Sequence, residues 1–278
     1  MADARTESTP VVLGAGTWRH EVVAAYAVWL RDLTRFASER VRIVGAMAQP
    51  LIYLVVMGTG FGATFRAAAI PQGFSYKAFM FPGILGMTVL FTSLFAAISV
   101  IWDREFGFLK EILVAPVSRA SIVFGKALGG ATVASAQGTL LLLLAPLVGI
   151  TLGWTQVAQL AVVMFLMAFA LTSLGLAIAS RMTSMEGFQV VLNFLIVPMW
   201  LLSGAFFPLR GVPDWMATLM RADPLTYGVD ALRGIVYHQT AAAQVLVAHS
   251  FGFNLAVIGL VAAGAFAIAL ATFRTREA

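Results

Sequence analysis

Six apolar stretches, at about 43–61, 79–101, 127–150, 157–180, 188–209 and 251–273, dominate this sequence, and none of them contains Asp, Glu, Lys, Arg or His. Each is close to the roughly 20 residues that a helix needs to cross a hydrocarbon core. Inside that core every backbone N–H and C=O must be satisfied within its own segment, so such stretches fold as helices. The sequence predicts an all-α, polytopic membrane protein with six transmembrane helices. Composition agrees, since only 11% of residues are charged against roughly 25% in a soluble domain. The fifth stretch is interrupted by Pro198, Gly204 and Pro208 and is expected to bend or to stop before crossing fully.

Ahead of the first stretch, residues 1–17 are small and polar and read as a mobile tail, and residues 18–278 as a single transmembrane domain. Residues 18–38 read as an amphipathic helix. Trp18, Val22, Tyr26, Trp29, Leu33 and Phe36 recur at steps of four and three, while Glu21, Arg31, Asp32 and Arg35 avoid that stripe. A helix with aromatics on one face and basic residues on the other can lie in the interface plane of a bilayer.

The loops give the orientation. With the amino terminus in the cytoplasm, thirteen Arg and Lys residues fall inside and five (Arg66, Lys77, Arg210, Arg221 and Arg233) fall outside. The positive-inside rule therefore places both termini in the cytoplasm of an inner-membrane protein. The same asymmetry accounts for the net charge of +5 without nucleic acid as a partner.

Several chemistries are excluded or unsupported. Cysteine is absent, so there is no thiolate nucleophile or ligand. No G-x-x-x-x-G-K-[ST] phosphate loop occurs, and Gly125-Lys126-Ala127 lacks both the first glycine and the hydroxyl. His20, His238 and His249 are scattered outside the stretches and read as solvated or interfacial, so substitution of His249 is expected to be nearly silent. The uncharged stretches offer no titratable group for a proton- or ion-coupled transporter. Gly58 and Gly62, and again Gly125 and Gly129, stand in GxxxG spacing, a pattern that permits close helix packing, including contact between two chains.

The segment 102–119 carries the strongest positive signal. Charged residues at its start are followed by Phe106, Phe108, Leu109 and Ile112, then Pro116, with Ser118 placed to cap the next helix. A plain connector has no need of those apolar side chains. Together with the flanking charges they suggest a docking surface for a soluble partner.

At this loop the chain resembles the permease subunits of type-2 ATP-binding-cassette exporters, closest to the drug- and antibiotic-resistance branch. The resemblance runs over roughly residues 20–275. It rests on Pro50-Leu51-Ile52-Tyr53-Leu54, on Glu105-Phe106-Gly107-Phe108-Leu109, on Leu202-Ser203-Gly204-Ala205-Phe206-Phe207-Pro208, and on Asp223-Pro224-Leu225-Thr226-Tyr227 with Asp230 and Arg233, in this order. It implies a non-enzymatic subunit with no cofactor of its own, whose ATP and Mg sit on two copies of a separate ATP-binding subunit. It further implies a second permease, as a homodimer. Glu105, Phe106, Gly107, Phe108 and Leu109 would match the ATPase-coupling loop. Trp18, Tyr26, Trp29, Arg31 and Arg35 would belong to the interface helix. The segment 206–233, with Phe206, Phe207, Pro208, Pro224 and Tyr227, would match extracytoplasmic re-entrant helices at the exit.

Substrate would then pass along the dimer interface. Candidate lining residues are Gln49, Tyr53, Met57, Phe91, Phe95, Asn193, Met199 and Trp200, with Thr88 and Ser93 beside them. A lumen of Phe, Met, Leu and a few hydroxyls suits an amphipathic or lipid-linked cargo of the drug type. A lipo-oligosaccharide or polysaccharide precursor is the alternative cargo. A stand-alone secondary transporter or channel is the alternative of another class, and the lack of a visible inverted repeat argues against it.

Overall fold

The computed structural model describes residues 18–38, 40–64, 75–105, 118–182, 184–209, 211–238 and 240–275. Among these residues the regular elements are all helical. They are α1 (Trp18–Ser38), α2 (Arg40–Thr64), α3 (Tyr76–Ala96), α4 (Ile98–Glu105), α5 (Arg119–Leu141) with a tighter 3-10 extension (Leu142–Val148), α6 (Trp154–Arg181), α7 (Met185–Leu202), α8 (Asp214–Ala222), α9 (Pro224–Val236), α10 (Ala241–Leu246) and α11 (Phe251–Thr275).

Among the described residues five segments are long and apolar enough to cross a membrane: Tyr76–Asp103, Arg119–Val148, Trp154–Arg181, Met185–Leu202 and Phe251–Phe273. The first predicted stretch lies in α2, whose apolar run Met47–Gly62 is shorter. Local chemistry sets the ends. The Ser75 side chain accepts from the Lys77 N–H, Ser118 from Ser121 and Ser184 from Gly187, each starting a helix. The helix after the loop starts at Arg119, ahead of the expected 127, because Ser118 caps it there. It tightens from Leu142, where Pro146 offers no N–H, and closes at Gly149 with φ +78°.

The fifth stretch ends at Leu202 rather than 209. Pro198 is accommodated inside α7, and the chain leaves the helix at Gly204 with φ +79°. The charge-free spans expected from the sequence need a correction as well. The apolar helices extend to Asp103 and begin at Arg119, so Asp103 and Lys126 lie within them rather than in a solvated loop. Both are buried.

Helix α6 lies at the centre, against α3, α5, α9 and α11. Small residues permit these approaches: a Cβ added at Gly138 would come within 2.6 Å of the Met164 sulfur, and one at Gly228 within 2.4 Å of the Met167 methyl.

Helix α9 enters this bundle to half its depth. At its middle, Val229 packs on Gly86 and Gly228 on Met167, midway along α3 and α6. At its carboxyl end the Tyr237 hydroxyl donates to the Ala78 carbonyl and Gln156 Nε2 donates to the Ile235 carbonyl (3.0 Å), at the starts of those same helices.

A candidate cargo cavity between the amino-terminal helix and the bundle

Helix α1 lies along α5, seated by glycine. A Cβ at Gly125 would stand 2.6 Å from the Ala25 carbonyl oxygen, and one at Gly129 3.0 Å from Asp32 Cβ. The second GxxxG pair therefore seats α1 of the same chain, one of the close helix contacts that its spacing permits. The first pair faces the start of α3: a Cβ at Gly58 would meet the Lys77 side chain at 2.7 Å.

The face that α1 turns inward is its small and acidic one. Glu21 accepts from the Ser118 N–H (2.9 Å) and from the hydroxyls of Ser118 and Ser121, so α1 reaches the first turn of α5. These hydrogen bonds, the Ser118 hydroxyl first, hold the Glu21 carboxyl below its ordinary range. The predicted stripe is turned the other way at its start, with Trp18 72% exposed and Val22 and Tyr26 also open. Further along, Trp29 Nε1 donates to Thr132 Oγ1 at 3.1 Å, and the Arg35 guanidinium lies 4.6 Å from the centre of the Trp102 ring.

Beneath the second half of α1 sits a four-charge cluster. Lys126 Nζ lies 2.7 Å from Asp103 Oδ2 and donates to Ser99 Oγ at 3.1 Å. Arg31 reaches the same Asp103 oxygen at 3.3 Å and Asp32 at 3.7 Å. Burial raises the Asp32 carboxyl above its ordinary range, against the pull of Lys126 and Arg31.

Next to the cluster is a cavity of about 330 Å³, bounded by α1, α2, α3, α4 and α5. Its walls are Phe36, Met87, Phe91, Phe95, Ile98 and Trp102, with Phe91 and Phe95 stacked at 6.3 Å. Its polar groups are Gln49, Thr88, Thr92, Ser99 and Gln137, and Thr92 donates to Gln137 at 2.8 Å. Asp32 and Arg35 also line it. Such a space combines an aromatic wall with a small set of polar groups, as small-molecule sites do.

The structure brings together only some of the residues expected to line a path. Gln49, Phe91 and Phe95 border this cavity. Tyr53 instead meets Trp200 edge-on at 4.9 Å, and Trp200 meets Phe206 at 4.8 Å, in an aromatic cluster tying α2 to the end of α7. Met199 is buried in the core, Met57 packs against it, and Asn193 is exposed on α7. In the coupling motif, Glu105 is the last residue of α4, while Phe106, Gly107, Phe108 and Leu109 lie outside the described residues.

On the other end of the molecule, Phe207 is exposed and Pro208 half-buried, and Pro224 is the first residue of α9. The Tyr227 hydroxyl donates to the Arg221 carbonyl at 2.8 Å. Sequence reasoning did not foresee the buried groups here. Arg233 donates to the Gly204 carbonyl at 2.6 Å and lies over Phe79. Asp230 accepts from the backbone N–H groups of Ala248 (2.8 Å) and His249 (2.9 Å) and from the Asn254 amide. His249 is half-buried, stacked on Phe253, with Nδ1 3.4 Å from Asp230. Its side chain is partly buried rather than fully solvated.

Residues 24–237 match the family described as ABC-2 type transporter. The chain belongs to that family. It is 30% identical to the putative transport permease ycf38 of Cyanophora paradoxa over 203 residues, covering 72% of this chain and 69% of that one. It is also 30% identical to Nodulation protein J of Rhizobium meliloti (strain 1021) over 213 residues, covering 76% and 80%. As an ABC-2 permease it is a multi-pass membrane subunit of an ABC transporter and the membrane partner of an ABC ATPase.

Proposed function

We propose that this permease forms the translocation path of an ATP-driven exporter for an amphipathic, lipid-like molecule of the drug or antibiotic type. The observation that carries the reading is the cavity under α1. Stacked aromatics and hydroxyl and amide groups line the same cavity there, which suits a molecule with both an apolar body and a polar head. The cavity also adjoins α4, and Glu105 at the end of α4 leads into the docking loop.

In this reading two permeases pair as a homodimer in the inner membrane, with both termini cytoplasmic and six crossings each, α2 being the first. Exposed apolar side chains on α2 (Ile52, Val55, Val56) and α7 (Val190, Phe194, Val197) supply faces for the second copy and for lipid. Two ATP-binding subunits, which hold the ATP and Mg, dock beneath at residues 105–109. The half-depth insertion of α9 supports α8 and α9 as re-entrant helices from the outer side. A lipo-oligosaccharide or polysaccharide-precursor cargo is a second reading, favoured by similarity to Nodulation protein J over four fifths of that chain's length.

The test is co-purification in detergent with the ABC ATPase partner that the family implies. Wild type should retain it in equal amount, and Glu105→Arg and Phe106→Asp should not. Full retention by both variants would remove the docking assignment. Loss of the ATPase from wild type under all mild conditions would remove the ATP-driven reading.

A further inference from the structure

The cluster of Arg31, Asp32, Asp103 and Lys126 joins three elements with different roles. Asp103 is on α4, the helix that ends at Glu105. Arg31 and Asp32 are on α1, and Lys126 is on α5. Lys126 is the hub, with its side chain 1% exposed. A buried ammonium is costly to leave unpaired, so it keeps a carboxylate partner at all times. Asp103 is in direct contact with it, and Asp32 belongs to the same cluster through Arg31, 3.7 Å from Asp32 and 3.3 Å from Asp103. Arg31 touches both of those carboxylates. A cluster of two cations and two carboxylates spread over separate helices has more than one satisfied pairing. A small displacement of α4 can therefore exchange partners instead of breaking the cluster. Ser99, which accepts from Lys126, and Asp32 both line the cavity.

We propose that Lys126, Asp103 and Asp32 are positioning residues that transmit movement of the docking loop to the cavity, by exchange of the Lys126 partner from Asp103 towards Asp32. The proposal rests on the reading of residues 105–109 as the ATPase dock.

The chain has no cysteine, so a single Gln49→Cys at the cavity edge reports on this space without background from the permease. The complex with its ATPase is treated with a fluorescent maleimide, with ADP or with ATP and vanadate, and the permease band is read on a gel. ATP hydrolysis is measured on the same samples. In the Gln49→Cys parent, labelling should change at least threefold between the two nucleotide states. Added Asp32→Asn, which leaves the Lys126–Asp103 pair in place, should reduce that change to less than 1.5-fold while the ATPase is still retained. Lys126→Met should do the same, and Lys126→Arg should restore the change. If the cluster were purely structural, Lys126→Met would lose retained ATPase or folded protein, and Asp32→Asn, which keeps the Lys126–Asp103 pair, would respond like the parent. A parent whose labelling is the same in both nucleotide states, or an Asp32→Asn permease that responds like the parent, overturns the proposal. Loss of the ATPase from the parent itself would instead overturn the exporter reading, which the retention measurement registers separately.

Discussion

Glu21 of α1 caps the first turn of a different helix, accepting from the backbone N–H of Ser118 at 2.9 Å and from its hydroxyl. Ser118 directly follows the loop segment, so this carboxylate ties the amino-terminal helix to the loop's exit. The ionised form makes the bonds, and they, the Ser118 hydroxyl first, hold the carboxyl below its ordinary range in the folded protein. A depressed acid pKa means that the contribution is complete above the unfolded value and is lost as pH falls through the folded one. Hydrogen exchange over residues 18–38, corrected for intrinsic rates, should show constant protection from pH 7 to about pH 5 and weaker protection in stronger acid. Glu21→Ala should show the weaker protection already at pH 7. Equal protection in variant and wild type at neutral pH would mean that the cap does not hold α1.

The seat of α1 gives a second expectation. Gly125→Ala places a methyl 2.6 Å from a backbone oxygen of Ala25, where no rotamer change can relieve it. Overpacking of this kind costs about 1–3 kcal/mol, and α1 should lift from α5 with faster exchange in 18–38. Gly264→Ala on α11 meets nothing within 4 Å and serves as the control, being neutral or slightly stabilising through helix propensity. Oligomeric state should be unchanged in both. A Gly125→Ala chain that changes oligomer size while α1 exchanges normally would favour the inter-chain reading of that glycine pair.

The extent of α1, 18–38, was legible because apolar residues recurred at helical steps, and Ser118 was legible as a cap. Which of its residues seat it on the bundle was not. In water the apolar stripe marks the buried side, but beside a bilayer the surroundings are themselves apolar, and Trp18, Val22 and Tyr26 face outward. The small residues Ala25 and Gly125 take the inner contact. Asp103 and Lys126 were assigned to a loop because a hydropathy window stops at any charge. Their pairing across 23 positions is a property of two helices, and each neutralises the other within the buried layer. Arg233 was counted as an outer-loop cation for the same reason, since its acceptor at Gly204 and the Phe79 ring beneath it are brought by other elements. The lining candidates split because a list of polar and aromatic residues carries no azimuth: Phe91 and Phe95 share a face of α3, whereas Tyr53 and Trp200 meet each other.

Arg233 supports the turn at Gly204, where α7 gives way to α8. Arg233→Met preserves length but leaves the Gly204 carbonyl without its charged donor. Loss of a hydrogen bond to a charged group costs about 1.5–3 kcal/mol. The thermal midpoint of the purified permease should fall by several degrees, and Arg233→Lys should recover part of the loss. A midpoint within one degree of wild type for Arg233→Met would show that the carbonyl finds another donor.

Asp230 and His249 separate two roles at the start of α11. Asp230 satisfies two backbone N–H groups ahead of that helix and the Asn254 amide within it. Asp230→Ala leaves all three donors unsatisfied at a buried site, at about 1–3 kcal/mol for each group left unpaired, so little folded protein should accumulate. Asp230→Asn keeps one acceptor oxygen and should be intermediate. His249 contributes its ring, stacked on Phe253 at 5.2 Å and near Tyr227 at 5.4 Å. Ring packing of this kind contributes about 0.5–1.5 kcal/mol beyond area. His249→Phe retains it and should melt close to wild type, whereas His249→Ala should melt a few degrees lower. The series is read from detergent-solubilised yield and thermal midpoint. If His249→Phe falls as far as His249→Ala, the imidazole's contact with Asp230 rather than its stacking holds the start of α11.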